Sequence, residues 1–287
     1  MTIRINYGRL LRVALMYTVL CLGAAVILLP IYLAVVNSLL PKEDAISYPP
    51  KLFAPNPQWG NYKKAMEAVP LGRYMFNSFV QSGIITIGQL ATSTIAAYAF
   101  AFMRFPLRNF LFIAFLSTLM VPWEVTIVPN YQTVQMMGGV LGGHVLSLDS
   151  YQALTIPFLA TAFGTFLLRQ HFLTMPLELR DAAAIDGYGH FRFLWHVVLP
   201  LSKPALGTLA VFSFLQSWNQ YLWPLLVTNS DNYRTVQIGL AGLASQEIDS
   251  INVVMAGTVI ALLPMLIMIV LFQRQLVRGL MSGAIKG

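Results

Sequence analysis

The reactive side chains of this sequence are few. His144, His171, His190 and His196 are its only histidines, and Cys21 its only cysteine. His190 and His196 stand six apart, so they do not form the i, i+4 pair that puts two imidazoles on one helical face. A lone cysteine inside an apolar run packs as a small hydrophobe, and it leaves no intrachain disulfide or multi-cysteine zinc site. No Gly-x4-Gly-Lys-Ser/Thr surrounds any of the lysines, so the chain lacks a phosphate-cradling loop. Neither a Ser/His/Asp set nor a pair of carboxylates stands out. One polar stretch between apolar runs does carry a spaced pattern, Met175–Pro204. There Asp181-Ala182-Ala183 is followed by three residues, Gly187, nine residues, and Val197 through Pro200. The chemistry on offer is mechanical: a carboxylate, a run of alanines slim enough for close approach, and a glycine able to turn the chain.

Local rules read this stretch as a helix–turn–helix over about 174–200. Thr174 can cap the first helix, with Pro176 in its first turn and Glu178 near the positive end. Leu177, Ala184 and Ile185 fall on one face, Glu178 and Asp181 on another. Gly187, after Asp186, suits a turn at positive φ. Tyr188, Phe191, Trp195 and Val198 then recur at helical spacing, with Arg192 and His196 off that stripe. Pro200 and Pro204 mark the return to apolar sequence. Periodicity alone is equally served by an amphipathic connector lying on a bilayer.

A second group of polar residues sits within apolar runs, where polarity is costly and usually faces the bundle interior. Asn77, Gln81, Gln89, Glu124, Gln216, Trp218 and Asn219 are therefore candidates for a solute pathway. The amides serve equally as helix–helix hydrogen-bond donors. Trp218 and Trp223 suit either sugar stacking or an interfacial aromatic belt. No Lys or Arg falls in the interior of an apolar run. A phosphorylated solute would thus need its cations elsewhere, which favours a neutral sugar.

These residues must be positioned by a membrane bundle. The chain is 57% hydrophobic and 10% charged, against about a quarter charged in soluble domains. Windows of about 20 apolar residues give six spans: Leu15–Val36, Met75–Met103, Phe110–Pro129, Tyr151–Leu168, Ala205–Val227 and Val253–Phe272. The first is too long for a signal-peptide core and is read as retained. With the N-terminus inside, twelve of the 18 Lys and Arg lie on the cytoplasmic side, which puts both termini and the Asp181–Pro200 stretch there. The 37–73 and 121–148 connections then lie outside. Prolines make the former an extended wrap, and Gly138, Gly139, Gly142 and Gly143 read as loop glycines of the latter. The net charge of +7 reflects cytoplasmic segments, and no soluble basic domain exists to bind nucleic acid. The expected fold is an all-α integral membrane protein of six transmembrane helices, one domain over 1–287.

The spacing DAA-x3-G-x9-V-x-LP resembles the EAA motif of permease subunits from binding-protein-dependent ABC importers, with Asp181 in place of Glu and Val197 in place of Ile. Trp218-Asn219-Gln220-Tyr221-Leu222-Trp223-Pro224 is similar to a segment of the carbohydrate importers of that family. The C-terminal run from Gln273 to Leu280 resembles the family's ending. Phe105–Asn109 and Leu119–Pro122 look most like the second permease of glycerol-3-phosphate importers. The resemblance implies a type I importer permease in a bacterial or archaeal cytoplasmic membrane. It implies a homologous second permease, two ATPase subunits and an external substrate-binding protein as partners. ATP and Mg would sit on the ATPases, with no cofactor on this chain and no catalysis by it. Asp181, Ala182, Ala183, Asp186, Gly187, Leu199 and Pro200 would form the ATPase-coupling element. The rival readings are a stand-alone secondary transporter or channel, which often keeps mid-membrane charges and inverted repeats, and a membrane scaffold.

Overall fold

The computed structural model describes residues 7–140, 147–245 and 250–284, with side chains for 11–138, 147–245 and 250–273. Among the described residues every regular element is helical: α1 (Tyr7–Leu39), α2 (Gly60–Ala68), α3 (Leu71–Phe102), α4 (Arg108–Met120), α5 (Trp123–Val140), α6 (Tyr151–Phe158), α7 (Ala162–Phe172), α8 (Leu177–Ile185), α9 (His190–Leu201), α10 (Lys203–Trp218), α11 (Leu222–Val227), α12 (Val236–Ser245) and α13 (Ile251–Ala284). A four-residue turn of helix, Lys42–Ala45, precedes α2. Two compact units divide the chain, Met1–Val69 with Leu240–Leu262, and Pro70–Gly239 with Leu263–Gly287.

Three helices are long and apolar enough to cross a bilayer unaided: Leu11–Leu39 within α1, all of α3, and Ile251–Gln273 within α13. Three further helix pairs are long and apolar enough only when taken together, and the last of them takes in His190–Leu201, ahead of the expected Ala205–Val227 span. α4 and α5 meet at 100°, α6 and α7 at 46°, and α9 and α10 at 79°. Counting each bent pair once gives six candidate spans.

The breaks correct several expectations. Phe110–Pro129 is not one helix: Pro122 follows a 3₁₀ turn ending at Met120, and the chain restarts at Trp123. Pro129 lies inside α5 rather than ending a span. Gly138 and Gly139 also belong to α5, so they are helical and not loop glycines; Gly142 and Gly143 lie outside the described residues. Ala205–Val227 stops at Trp218 and resumes at Leu222. The expected 37–73 wrap contains α2 and the Lys42–Ala45 turn. The side chains of the C-terminal arginines counted for orientation lie outside the described residues.

In the first unit a single amide holds the segment after α1. The buried Asn61 donates to Ser38 O at 2.9 Å and Leu40 O at 3.0 Å, capturing carbonyls left unmatched at the helix end. Asn252 adds a bond to Leu40 O at 3.1 Å. Ala65, Val253 and Ala256 pack as a small apolar cluster.

The second unit is built on α3, against which α7 and α10 pack. Small residues let the backbones approach, as membrane packing favours. At Gly164 of α7, a Cβ would come within 2.5 Å of Ser93 Oγ and 3.1 Å of Leu209 Cδ1.

A loop contact closes the opposite end of this unit. Asp149, at φ 59°, accepts bonds from the Asn229 and Ser230 N–H groups at 2.9 and 3.0 Å. Burial works against its ionisation, but the bonds from Ser230 and Asn229 and the Arg234 charge outweigh it and hold the carboxyl below its ordinary 3.8. A depressed carboxylate pKa stabilises the fold above the unfolded value, and that stability is lost as pH falls through the folded value. Asp149→Asn keeps an acceptor and tolerates positive φ. The variant should therefore melt lower at neutral pH and show a shallower acid limb in a Tm-versus-pH series.

Candidate functional site: the Asp181–Pro200 element

α8 begins at Leu177 with Pro176 as its N-cap, and no side chain caps it. Thr174 does not serve as the cap; its hydroxyl donates back to His171 O at 2.7 Å. The C-terminus closes as a Schellman motif. Tyr188 N–H reaches Ala183 O at 2.8 Å and Gly187 N–H reaches Ala184 O at 3.1 Å. Gly187 adopts φ +77° as this geometry demands. The turn then leads into α9 at His190.

α8 touches the bundle on one narrow line. Ala183 is its only buried residue, packed with Tyr98, Phe102, Phe172, Phe193 and Val198. Tyr188 joins that cluster from the turn. Asp181, Ala182, Asp186 and Gly187 face outward, and Leu177 and Ile185 are 66% and 87% exposed. The apolar face of Leu177, Ala184 and Ile185 is therefore open.

α9 departs from its expected stripe. Phe191 and Trp195 are exposed and stack on each other at 6.4 Å, whereas Phe193, Leu194 and Val198 are buried. The inward face is Phe193, Leu194, Val197 and Val198, one helical face beside the aromatic stripe, and a π turn spans Leu194–Val198. The turn also precedes Pro200, whose missing N–H would leave a gap in a regular ladder. Helix therefore persists through Pro200 and breaks at Ser202, between the two prolines read as marking the return to apolar sequence. The buried Ser202 bonds Val198 O through its hydroxyl at 2.6 Å. Leu199 is half-buried against the cluster and Pro200 is exposed.

One tie between this element and the bundle is invisible to sequence spacing. Tyr98 Oη, near the end of α3, shares a 2.9 Å hydrogen bond with His190 Nδ1 at the start of α9. Both line a cleft of about 200 Å³ with Arg180, Ala183, Ala184, Tyr188, Gly189 and Phe193. Arg192 lies over the Tyr188 ring at 4.9 Å. The arrangement holds α8 and α9 as one hinged piece against the ends of α3 and α7. It offers an open surface bearing the Asp181 and Asp186 carboxylates, but no nucleophile–base pair.

The polar residues of the bundle divide into two groups. Asn77 is fully buried and saturated: it donates to Asn232 O at 2.9 Å and Arg234 O at 2.8 Å, and accepts from Tyr151 Oη at 2.6 Å. Gln89 donates to Phe158 O at 2.9 Å and accepts from Ser213 Oγ at 2.6 Å. Thr92 takes the Leu159 carbonyl at 2.8 Å, so α3 satisfies the carbonyls freed where α6 breaks from α7. In a bilayer such groups have no water to turn to. Gln81 is buried and donates to Gln220 Oε1 at 2.6 Å. Trp218 is 1% exposed, with Phe214 stacked at 5.7 Å and the Phe79 edge at 4.9 Å. Its ring is therefore covered, and its indole N–H has no partner. Trp223 is buried and donates to Ala153 O at 3.0 Å. Glu124, Gln216 and Asn219 remain exposed, with Glu124 in the first turn of α5.

Asn77→Leu should therefore act on stability before transport. At about 0.6 kcal/mol for each interhelical bond, three lost bonds cost about 2 kcal/mol. A thermal unfolding series in detergent would read this as a clear drop in Tm.

Comparison with known proteins agrees with this architecture. Residues 89–282 match the family described as binding-protein-dependent transport system inner membrane component. The chain is 39% identical over 275 residues to the sn-glycerol-3-phosphate transport system permease protein UgpE of Yersinia enterocolitica, covering 93% of this chain and 95% of that one. It is 38% identical, with the same coverage, to the UgpE of Brucella abortus. Among solved structures it resembles a chain of a bacterial ABC transporter involved in import of the acidic polysaccharide alginate. The TM-score is 0.78 at 19% identity, over 96% of this chain and 99% of that one. A second alginate transporter structure, in complex with a pentasaccharide-bound periplasmic protein, gives 0.63 at 14% identity, over 93% and 95% of the two chains.

Proposed function

We propose a role for this chain on a plain premise: it belongs to the family of binding-protein-dependent transport system inner membrane components, as its family match and its relatives show. It is one of two permease subunits of an ATP-driven importer, forming half of the solute pathway. Its partners are a homologous permease, two ATPase subunits carrying ATP and Mg, and an external binding protein that delivers the solute. Both termini lie in the cytoplasm. Asp181, Ala182, Asp186 and Gly187 present the ATPase-docking surface, while Ala183 and Leu199 anchor it and Pro200 follows the π turn. The observation that carries this reading is α8 itself, a helix capped by a Schellman turn and open on nearly every face. A helix this exposed is poorly explained without a partner to cover it.

For cargo, the relatives support glycerol-3-phosphate or a similar small phosphorylated polyol. A neutral carbohydrate is the second reading, favoured by the absence of Lys or Arg from the interior of the six apolar runs. Gln216, Asn219 and Glu124 are the candidate contacts with exposed polar groups; Asn77, Gln81 and Gln89 act as structural ties. Trp218 would contact solute only in a state that uncovers its ring. Reconstitution with candidate partners in proteoliposomes tests the whole scheme. Uptake should require ATP, both ATPases and the binding protein. ATP-independent uptake by this chain alone would overturn it, and comparing labelled glycerol-3-phosphate with neutral sugars separates the two cargo readings.

A further inference from the structure

Five residues link α3 to α4, and with the first turn of α4 they border an open cleft of about 480 Å³ lined by Arg104, Phe105, Leu107, Arg108, Asn109 and Phe110. Three features converge on it. First, the arginines are not neutralised. The ion pairs among the described residues are Lys51–Asp44, Lys63–Glu67 and Arg234–Asp231, and none involves Arg104 or Arg108. Arg108 reaches only a carbonyl, Met103 O at 3.2 Å. A third cation stands close by: Arg169 repels Arg108 electrostatically and lies over the Phe112 ring at 4.0 Å.

Second, α4 starts without a side-chain cap, and its N-cap residue Leu107 is held at φ 59°. Positive φ in a bulky residue is strained, and strain of this kind gathers at binding sites. A left-handed residue opening into a helix aligns successive N–H groups into an anion-binding concavity, beside the positive end of the helix dipole. Third, the surroundings are apolar. Leu107 is 70% exposed and Phe110 65%, so the cations sit at the rim of a surface that prefers hydrocarbon.

The cleft lies at the membrane boundary, between the end of a candidate span at Phe102 and the start of α4. It is also on the face that carries α8. Arg169 ends the helix before α8, and Tyr98, one turn before the end of α3, bonds His190 of α9. We infer that Arg104, Arg108 and the α4 N-terminus form a binding site for the phosphodiester headgroup of an anionic phospholipid in the cytoplasmic leaflet. Basic pockets at helix ends on this side suit such headgroups. A free phosphate shares the anion chemistry but gains nothing from Leu107 and Phe110. The inference rests on the membrane orientation above and is independent of cargo.

Native mass spectrometry of the full chain, released from zwitterionic detergent with phosphatidylglycerol or phosphatidylcholine added, tests it. Wild type should retain phosphatidylglycerol preferentially. Losing two cations in Arg104→Gln/Arg108→Gln should lower that retention roughly thirtyfold. Arg73→Gln, at the other end of α3, should leave it unchanged. The charge-preserving Arg104→Lys/Arg108→Lys should keep most of it and serves as the folding control. Equal retention of the two lipids by wild type, or undiminished retention by the glutamine variant, overturns the site. Displacement by millimolar inorganic phosphate would make it a free-anion site and overturn the lipid assignment. Loss of a co-purified ATPase from the glutamine variant, with lipid unaffected, would reassign the arginines to that partner. Because these readouts are lipid occupancies, a failed importer assignment would leave them intact.

Discussion

Gly187→Pro should abolish coupled uptake, by well over tenfold, while the chain still inserts and folds. Gly187 holds φ +77°, and proline is fixed near −65°. Proline also lacks the N–H that reaches Ala184 O, and the displaced turn loses the Tyr188 bond to Ala183 O. Two hydrogen bonds at about 1 kcal/mol each, plus the forced dihedral, cost the turn about 3 kcal/mol. That cost falls on the junction of α8 and α9, not on the packed helices. A substitution series separates geometry from bulk, because nothing lies within 4 Å of a Cβ added here. Asn accepts the left-handed region and should retain most uptake; Ala loses about 1 kcal/mol; Pro loses the turn. ATP hydrolysis and uptake measured together in proteoliposomes would check the order. Uptake at wild-type level in the proline variant would sink the coupling assignment.

Gly164→Leu should be the most destabilising single change in the α3–α7–α10 packing. An added Cβ already falls 2.5 Å from Ser93 Oγ, 2.8 Å from Thr161 Cγ2 and 3.1 Å from Leu209 Cδ1. Thr161 is the N-cap of α7 itself and Leu209 is buried within α10, so the clash cannot be relieved by one flexible side chain. Overpacking costs typically 1–3 kcal/mol, and leucine brings three more carbons than the atom that already collides. Alanine should show a smaller loss at the same site. Detergent melting curves should rank wild type above Ala above Leu, with uptake falling in step. If the leucine variant melts with wild type, the helices are not in this close contact in the membrane.

The two regions differ in how much of them could be read from residues in order. Gly187 was legible because its role is local: a turn needs positive φ, and glycine supplies it within a few residues of the helix it ends. The long spans were legible for the same reason, since apolar length is a property of a contiguous window. The breaks at Pro122, at Leu159 and at Asn219 were not, because hydropathy continues across them. Their free carbonyls are met by side chains far away in sequence, such as Gln89 for Phe158 and Thr92 for Leu159. Spacing left the polar residues inside apolar runs open between a solute path and interhelical hydrogen bonding, and Asn77, Gln81 and Gln89 make such bonds here. The buried face of α9 escaped because the aromatic spacing of Phe191 and Trp195 marks an exposed face, while Phe193, Leu194 and Val198 turn inward. The Tyr98–His190 tie joins residues 92 positions apart and leaves no mark in local spacing.

The 79° corner between α9 and α10 sets a scale for what a small push at one end can do. α10 has 16 residues, about 24 Å at 1.5 Å per residue. Ser202, buried and hydrogen-bonded back to Val198 and Leu199, ties the corner to the end of α9, a brace through which α9 could turn α10. A tilt of about 10° in α9 would then swing Trp218, at the far end of α10, by about 4 Å over that length. That displacement exceeds the radius of a water molecule and approaches the width of an indole edge. A crank of this length would turn a slight rocking of α9 into an aperture-sized stroke at the far end of α10.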